Sequence, residues 1–562
     1  MTMRYSSRLR TIYTVVFLIL FVSLAYADKK TDAVDKLFAP WDKTITPGCA
    51  LAVVKDGKII YKRGYGMANL EHNIPITPQS VFYIGSVSKQ FVTMCIALLE
   101  KQGKLSIDED IRKYVPEMPY YGVPIAIRHL IHHTSGLRDY LTLLGIAGID
   151  FGSFHEDDSL ELIVRQRELN FKPGEQYLYS NSGYFLLAVI VERASGKSLR
   201  EYAEENIFKP LGMQNSHFHD DYTMLIKNRA SGHYLRGKGK YINFISTFDC
   251  VGSGGLFTSV EDLFLWDQNF YHYKVGGKEV HELLHTRGTL NNGTKLDYAF
   301  ALGIGTYKGL ETVSHGGALG GYRSNLIRFP EQNFSVICLS NLSTFNPGRL
   351  SQQVADIYLS GHFKKEAKEE IRPKEKVKFI RLPEKKLKEK VGAYVQPETG
   401  KIVRLFFRGR RLNTRLSGRN YPLEALSDTE FILLNAQVKT VVKFEKQKKG
   451  KPLLLHIYTE GKKPEIYEAA ESWEPTPDQL QEFTGDYYSE ELQATFSLAL
   501  RRGKLHFTHR NAPEPPLQPT LQDKFTVRSL RVNFVRIEDK KISGFILDAG
   551  RVRNLRFDKK TN

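Results

Sequence analysis

The stretch YIGSVSKQ, residues 83–90, places Ser86 three residues before Lys89 at the entry to an apolar segment. Val92, Cys95, Leu98 and Leu99 follow at helical spacing, and Gly103 ends the run. Positions i and i+3 share a helix face, so the spacing predicts that the Ser86 hydroxyl and the Lys89 amine point the same way, one turn apart. Gly85 permits a tight entry, and a serine at a helix start lies beside backbone N–H groups able to bind a developing oxyanion. A serine hydroxyl becomes a nucleophile only when a neighbour takes its proton. A lysine does this when burial or a nearby positive group keeps it partly neutral. Alone, the pair reads as a helix-capping serine and a solvated lysine.

Two further segments change that reading. YLYSNSGYFLLAVIVERASG, residues 177–196, sets Tyr179-Ser180-Asn181 just before an apolar helix. In an extended segment residues two apart point to one side, so Tyr179 and Asn181 are expected to face one cleft. TVSHGGALGGYRS, residues 312–324, puts His315-Gly316-Gly317 at a strand end, where the two glycines are expected to let a substrate backbone lie against the strand. Each segment alone reads as structure: a core-edge tyrosine, a turn asparagine, a glycine-rich hairpin. The three in this order read as parts of one site.

SVSK (86–89), YSN (179–181) and HGG (315–317), together with IRHLIHHTSGLRDY (127–140) and GSGGLFTSVEDLFLW (252–266), resemble the class C-like branch of the serine β-lactamase/penicillin-binding protein superfamily. That branch includes D-aminopeptidases, D-alanyl-D-alanine carboxypeptidases and esterases, and the resemblance covers roughly residues 35–362. It implies an α/β catalytic domain of β-lactamase/DD-peptidase type, an antiparallel sheet flanked by helices plus a helical region. It also implies roles: Ser86 as acylated nucleophile, Lys89 as its base and Tyr179 as proton relay to the leaving group. Asn181 would hold the substrate amide, and the N–H groups of Ser86 and Ala318, beside Gly317, would form the oxyanion hole. His315 stands where β-lactamases and carboxypeptidases of the superfamily carry lysine. A histidine is only partly charged near neutral pH, which turns the expectation away from carboxylate-bearing β-lactams and towards amides and esters. His132 and His133 of HHTSGL are read as structural turn residues, outside the site. HGG also resembles an α/β-hydrolase oxyanion loop, but no serine has the G-x-S-x-G setting. No phosphate loop, zinc signature or dinucleotide fingerprint is present, so neither metal nor cofactor is expected.

At 562 residues the chain is too long for one core. Arg4, Arg8 and Arg10, the apolar run TIYTVVFLILFVSLA and the AYA at 25–27 read as a signal peptide cleaved before Asp28. The run is short against the roughly 20 residues a spanning helix needs. The expectation is a secreted or periplasmic protein with no membrane span after cleavage. The net charge of +18 is unevenly placed. Residues 361–562 hold 42 Lys+Arg against 27 Asp+Glu, and residues 28–360 hold 35 of each. The basic residues are dispersed along strand-like segments, so the surface reads as solvated rather than as a nucleic-acid site. Cys49, Cys95, Cys250 and Cys338 lie in apolar segments without metal-ligand spacing and read as buried thiols, although four cysteines also permit three disulfide pairings.

Residues 28–362 alternate strand-like and helix-like segments. GCALAVVKDGKIIYKRGYG (48–66) reads as a hairpin about Asp56-Gly57, and residues 321–341 as two strands about Pro330-Glu331. Strand pairs at both ends predict one sheet built from both termini. Residues 363–380 read as a charged linker. LKEKVGAY, ending at Tyr394, and LQEFTGDY, ending at Tyr487, mark an internal repeat of 93 residues, with Leu387 and Leu480, and Gly392 and Gly485, in step. Short alternating runs within each copy predict two small antiparallel β-barrels, over 381–472 and 473–562. The expected function is a secreted serine hydrolase acting through an acyl-enzyme on a small peptide, amide or ester, with D-aminopeptidase-like substrates and peptidoglycan fragments as candidates. An esterase or class C-like β-lactamase, and a non-turnover penicillin-binding or peptidoglycan-sensing protein, are the alternatives.

Overall fold

A computed structural model describes residues 29–149, 155–237, 239–363 and 379–560, the last stretch without 398–399, 417–418, 437, 449–450, 461–462, 472, 510–511 and 539. Residues 1–27, read above as a signal peptide, and most of those read as a charged linker fall outside the described residues. By spatial grouping the chain forms two compact units, one of residues 1–141 and 149–366, the other of 142–148 and 367–562.

The first unit is organised on a six-stranded antiparallel sheet. Its strands are β1 (Cys49–Lys55), β2 (Lys58–Tyr65), β3 (Gly303–Tyr307), β4 (Leu310–Leu319), β5 (Tyr322–Phe329) and β6 (Phe334–Ser340), in the order β3-β4-β5-β6-β1-β2. The β1–β6 pairing, Cys49 opposite Ser340 through Lys55 opposite Phe334, closes the sheet from both ends of the unit as expected. Asp56 and Gly57 both take positive φ at the β1–β2 turn, the conformation that a two-residue hairpin with matching twist requires. β1 and β6 are apolar almost throughout rather than alternating, and both are buried along their length. An antiparallel strand reads this way when both faces are covered. Here helix α3 (Val260–His272) packs on β1 and β6, and helix α4 (Pro347–Leu359) packs on β5 and β6. Val354, Ala355 and Leu359 of α4 join Leu51, Val53, Phe329, Val336 and Cys338 in one core.

The helical region centres on α1 (Lys89–Lys101) and α2 (Asn181–Ser195), which pack against each other. Eleven of the thirteen residues of α1 are buried. A helix buried all round gives the apolar run of the sequence no single stripe. Phe91 lies against Trp266 of α3, whose indole N–H donates to Gln90. All four cysteines are buried free thiols.

In the second unit, the eight strands from Gly392–Val395 to Glu465–Ala470 form a closed barrel, and nine strands between Gly485–Ser489 and Val552–Lys559 form a second sheet that is nearly closed. The 93-residue repeat is structural. Short helices Glu384–Lys388 and Pro477–Gln481 precede the first strand of each copy. Tyr394 donates its hydroxyl to Lys390 O and Tyr487 to Phe483 O, the same bond at 3.0 Å in both. No helix among the described residues is long and apolar enough to cross a membrane.

Candidate active site

Ser86 lies on a 3-10 turn, Gly85–Ser88, and α1 begins at Lys89. The expected single helix is thus a 3-10 turn leading into an α-helix. The tighter winding eclipses positions i and i+3 and brings the two side chains together. Lys89 Nζ is 3.1 Å from Ser86 Oγ. Lys89 is wholly buried. Its amine also donates to Asn181 Oδ1 at 2.9 Å and to the Ser253 carbonyl, and lies 5.1 Å from the centre of the Tyr179 ring and 5.3 Å from that of Tyr184. A buried ammonium is tolerated only when its donors are used, and these contacts use them.

Asn181 is the first residue of α2, and Ser180 is its extended N-cap. Tyr179 and Asn181 converge on Lys89 across the extended Ser180, as the i to i+2 spacing implied, with the helix beginning at Asn181. Asp139, buried, accepts both the Asn181 backbone N–H at 2.7 Å and its Nδ2 at 2.8 Å. The Asn181 amide is therefore held with its oxygen on Lys89 and one hydrogen of its nitrogen on Asp139.

His315-Gly316-Gly317 lies within β4 rather than at a strand end as expected, because the pairing with β5 continues to Leu319. A Cβ on Gly317 would stand 1.9 Å from Ile84 O and 2.4 Å from Ser324 Oγ. The missing side chain lets β4 close onto the loop that carries Ser86, a junction tied by Ser324 Oγ donating to Ile84 O at 2.6 Å. Gly316 is exposed, and a Cβ there would meet nothing nearer than 3.6 Å. Gly85, at φ 53°, completes the junction, since its Cβ would lie 2.6 Å from Ala318 N. The backbones of Ser86 and Ala318 are thereby brought side by side, and only glycine fits at 85 and 317.

His315 is buried, with Nδ1 2.7 Å from Gly316 O and Nε2 3.1 Å from the Tyr298 hydroxyl. Burial, reinforced by the charge on Lys89, pulls its pKa down to about 4, against a smaller opposing pull from the Gly316 bond. The ring is neutral through the neutral range, not partly charged as its ordinary pKa implies.

Two segments join the site without having been assigned to it. Gly252–Gly255 supplies the Ser253 carbonyl. Tyr83, three residues before Ser86, accepts the Gly255 N–H at 2.9 Å, and a Cβ on Gly254 would collide with its hydroxyl. GSGG in the sequence was the available signal. The other is His133. It was read as a turn residue, yet its ring lies 4.0 Å from that of Tyr179 and its Nε2 is 3.2 Å from the Tyr298 hydroxyl. His132 does behave as structure: its Nδ1 meets Arg128 O within its own helix.

A half-buried serine beside a buried lysine at a helix start, faced by a Tyr-x-Asn helix entry and closed by a glycine-bearing strand on a sheet flanked by helices, defines a serine hydrolase of the β-lactamase and penicillin-binding protein type. The β-lactamase family profile matches residues 34–358, more than half of the chain, and the chain belongs to that family. It is 33% identical over 310 residues to penicillin-binding protein 4* of Bacillus subtilis, covering 52% of this chain and 68% of that protein. It is 30% identical over 299 residues to the D-aminopeptidase of Gluconobacter oxydans, covering 52% of this chain and 56% of the relative, so it spans little more than half the length of that enzyme. Among solved structures, the octameric penicillin-binding protein homologue from Pyrococcus abyssi superposes with a TM-score of 0.55 at 24% identity, covering 78% of this chain and 99% of that one. The D-amino acid amidase from Ochrobactrum anthropi SV3 superposes at 0.50 and 20% identity, over 59% and 99%. These two establish the fold alone.

Proposed function

We propose that the chain is a secreted acyl-enzyme hydrolase of short D-amino-acid amides or peptides, with simple esters as secondary substrates. The observation that carries this is the wholly buried Lys89 amine 3.1 Å from Ser86 Oγ. Ser86 Oγ attacks the substrate carbonyl carbon as Lys89, in its neutral amine form, takes the hydroxyl proton, and the carbonyl electron pair moves onto oxygen. The N–H groups of Ser86 and Ala318 receive that oxyanion, a role supported by the close approach of the two backbones at Gly85. The intermediate collapses, the amine or alcohol leaves with a proton delivered through Tyr179, and water attacks the Ser86 ester with the same groups working in reverse.

Asn181 anchors Lys89 and presents its remaining amide hydrogen to the substrate. His315, neutral, supplies no charge for a carboxylate, which favours amides and esters over β-lactams. Curated relatives named D-aminopeptidase support the amide class. The Arg4–Ala27 segment supports export. The test has two parts. Intact-mass analysis with a fluorophosphonate probe is expected to show one adduct on the wild type and none on Ser86→Ala; undiminished labelling of the variant rules the assignment out. Rates on D-alanine p-nitroanilide, p-nitrophenyl butyrate and nitrocefin are expected to be lowest on nitrocefin, and a preference for nitrocefin overturns the reading of His315.

A further inference from the structure

His133 is a buried non-glycine residue at φ 57°, a left-handed conformation that disfavours side chains and persists where surrounding contacts impose it. Those contacts converge on one neighbour. Leu178 N–H donates to the His133 carbonyl at 2.9 Å, and Ser180 N–H donates to its Nδ1 at 3.2 Å, so both residues flanking Tyr179 are tied to His133. The imidazole itself lies against the Tyr179 ring at 4.0 Å with 33° between the planes.

The hydrogens along the adjoining chain are fixed from its two ends. A backbone N–H can only donate, so Ser180 makes His133 Nδ1 an acceptor and leaves the proton of the neutral ring on Nε2. A backbone carbonyl can only accept, so Gly316 O places the His315 proton on Nδ1 and leaves Nε2 as an acceptor. Between these nitrogens stands one hydroxyl, Tyr298, 3.2 Å from His133 Nε2 and 3.1 Å from His315 Nε2. It accepts from the first and donates to the second. The chain runs one way, Ser180 N–H to His133 to Tyr298 to His315 to Gly316 O, with every ring nitrogen used.

We propose that His133 is a positioning residue for Tyr179, and that Tyr298 extends the positioning to His315, so that YSN and HGG are held as one rigid unit across the cleft. The inference rests on the acyl-enzyme reading above. Neither residue touches the reacting atoms; they act by fixing the Tyr179 ring and a single tautomer of His315, which is orientation catalysis at one remove. Removing the Tyr298 hydroxyl takes away the hydrogen bond it makes to each ring and loosens the hold on both.

The first measurement needs no variant. Nitrogen-15 spectra of histidine-labelled full-length protein at pH 7, assigned by single-histidine substitution, are expected to show His133 protonated at Nε2 and His315 at Nδ1. The opposite tautomer on either ring overturns the inference. The second uses Tyr298→Phe with p-nitrophenyl butyrate: kcat is expected to fall about tenfold while KM moves less than about twofold, the loss of one buried hydrogen bond felt at the transition state. His133→Asn, which tolerates the left-handed backbone but neither stacks nor reaches Tyr298, is expected to show the same split. A kcat within twofold of wild type in both variants refutes the positioning role, as does an equal loss in kcat and gain in KM. Failure of Ser86 to acylate in the wild type marks failure of the functional reading instead, independently of the tautomers.

Discussion

Gly317→Ala isolates the junction between the HGG strand and the nucleophile loop. The added carbon would start 1.9 Å from Ile84 O, 2.9 Å from Ile84 C and 2.4 Å from Ser324 Oγ, where real contacts of this kind do not fall below 3.0 Å. Relief requires β4 and the 84–86 loop to part by about 1.1 Å, the difference between the observed and the tolerated distance to Ile84 O. Side-chain rotation cannot absorb it, because the obstructing atoms at Ile84 are backbone. The Ser324–Ile84 hydrogen bond of 2.6 Å lies in the same gap and is displaced with it. Overpacking of this size destabilises by about 1–3 kcal/mol. The larger effect is on rate: a displacement of about 1 Å between groups that must act together lowers activity on the order of 100-fold, or about 2.7 kcal/mol in the barrier. The expected outcome is a kcat/KM on p-nitrophenyl butyrate reduced by about 100-fold with a lowered melting temperature, while Ser86 still acylates slowly with the fluorophosphonate. Gly316→Ala is the internal comparison. Its Cβ meets ordinary contacts at 3.6 Å or beyond, and its effect is expected to stay within about threefold. A Gly317→Ala enzyme with kcat/KM within threefold of wild type refutes the idea that this glycine sets the spacing between Ser86 and Ala318.

Acid sensitivity is a second consequence, read from His315. Its folded pKa of about 4 lies below the ordinary 6.5. Between these values the unfolded chain binds a proton that the folded chain refuses, so stability rises with pH across the window and is lost as pH falls from 6.5 towards 4. Near pH 5 the slope from this one group is roughly 1.2 kcal/mol per pH unit, and denaturation measured from pH 4 to 7 should be less steep in His315→Gln by that amount. Asp139 supplies the third. Asp139→Ala removes the acceptor of two buried donors on Asn181 and is expected to destabilise by about 3 kcal/mol. It should also lower kcat by unlocking the amide that holds Lys89, with Asp139→Asn intermediate in both; an unchanged melting curve in Asp139→Ala counts against the anchoring role.

The candidate site was legible only as a set: the Ser86/Lys89 spacing, the Tyr-x-Asn entry to an apolar helix and the histidine before two glycines each read alone as structure, and the three in this order read as one site. The hairpins at both ends of the first unit, whose turn residues fix strand pairing at short range, and the 93-residue repeat, whose matching tyrosines make matching bonds, were legible locally. His133 was not legible in this way. Its neighbours in sequence make it a turn residue, and its importance comes from Tyr179, Tyr298 and His315, which lie 46 to 182 positions away. The purpose of Gly317 was hidden for the same reason: a missing Cβ is visible in the sequence, but the atom that would strike it belongs to Ile84.

The sequence by itself offered the candidate reacting groups, pointed through its resemblance to the family, and carried the two-copy β architecture of the C-terminal region in a repeat of residue types at fixed spacing. Only the tertiary structure decided the electrical state of the site. Whether His315 is charged depends on burial and on Lys89, and where each imidazole proton resides depends on backbone groups at Ser180 and Gly316. Desolvation and hydrogen-bond direction are properties of surroundings assembled from distant segments, and no local spacing encodes them.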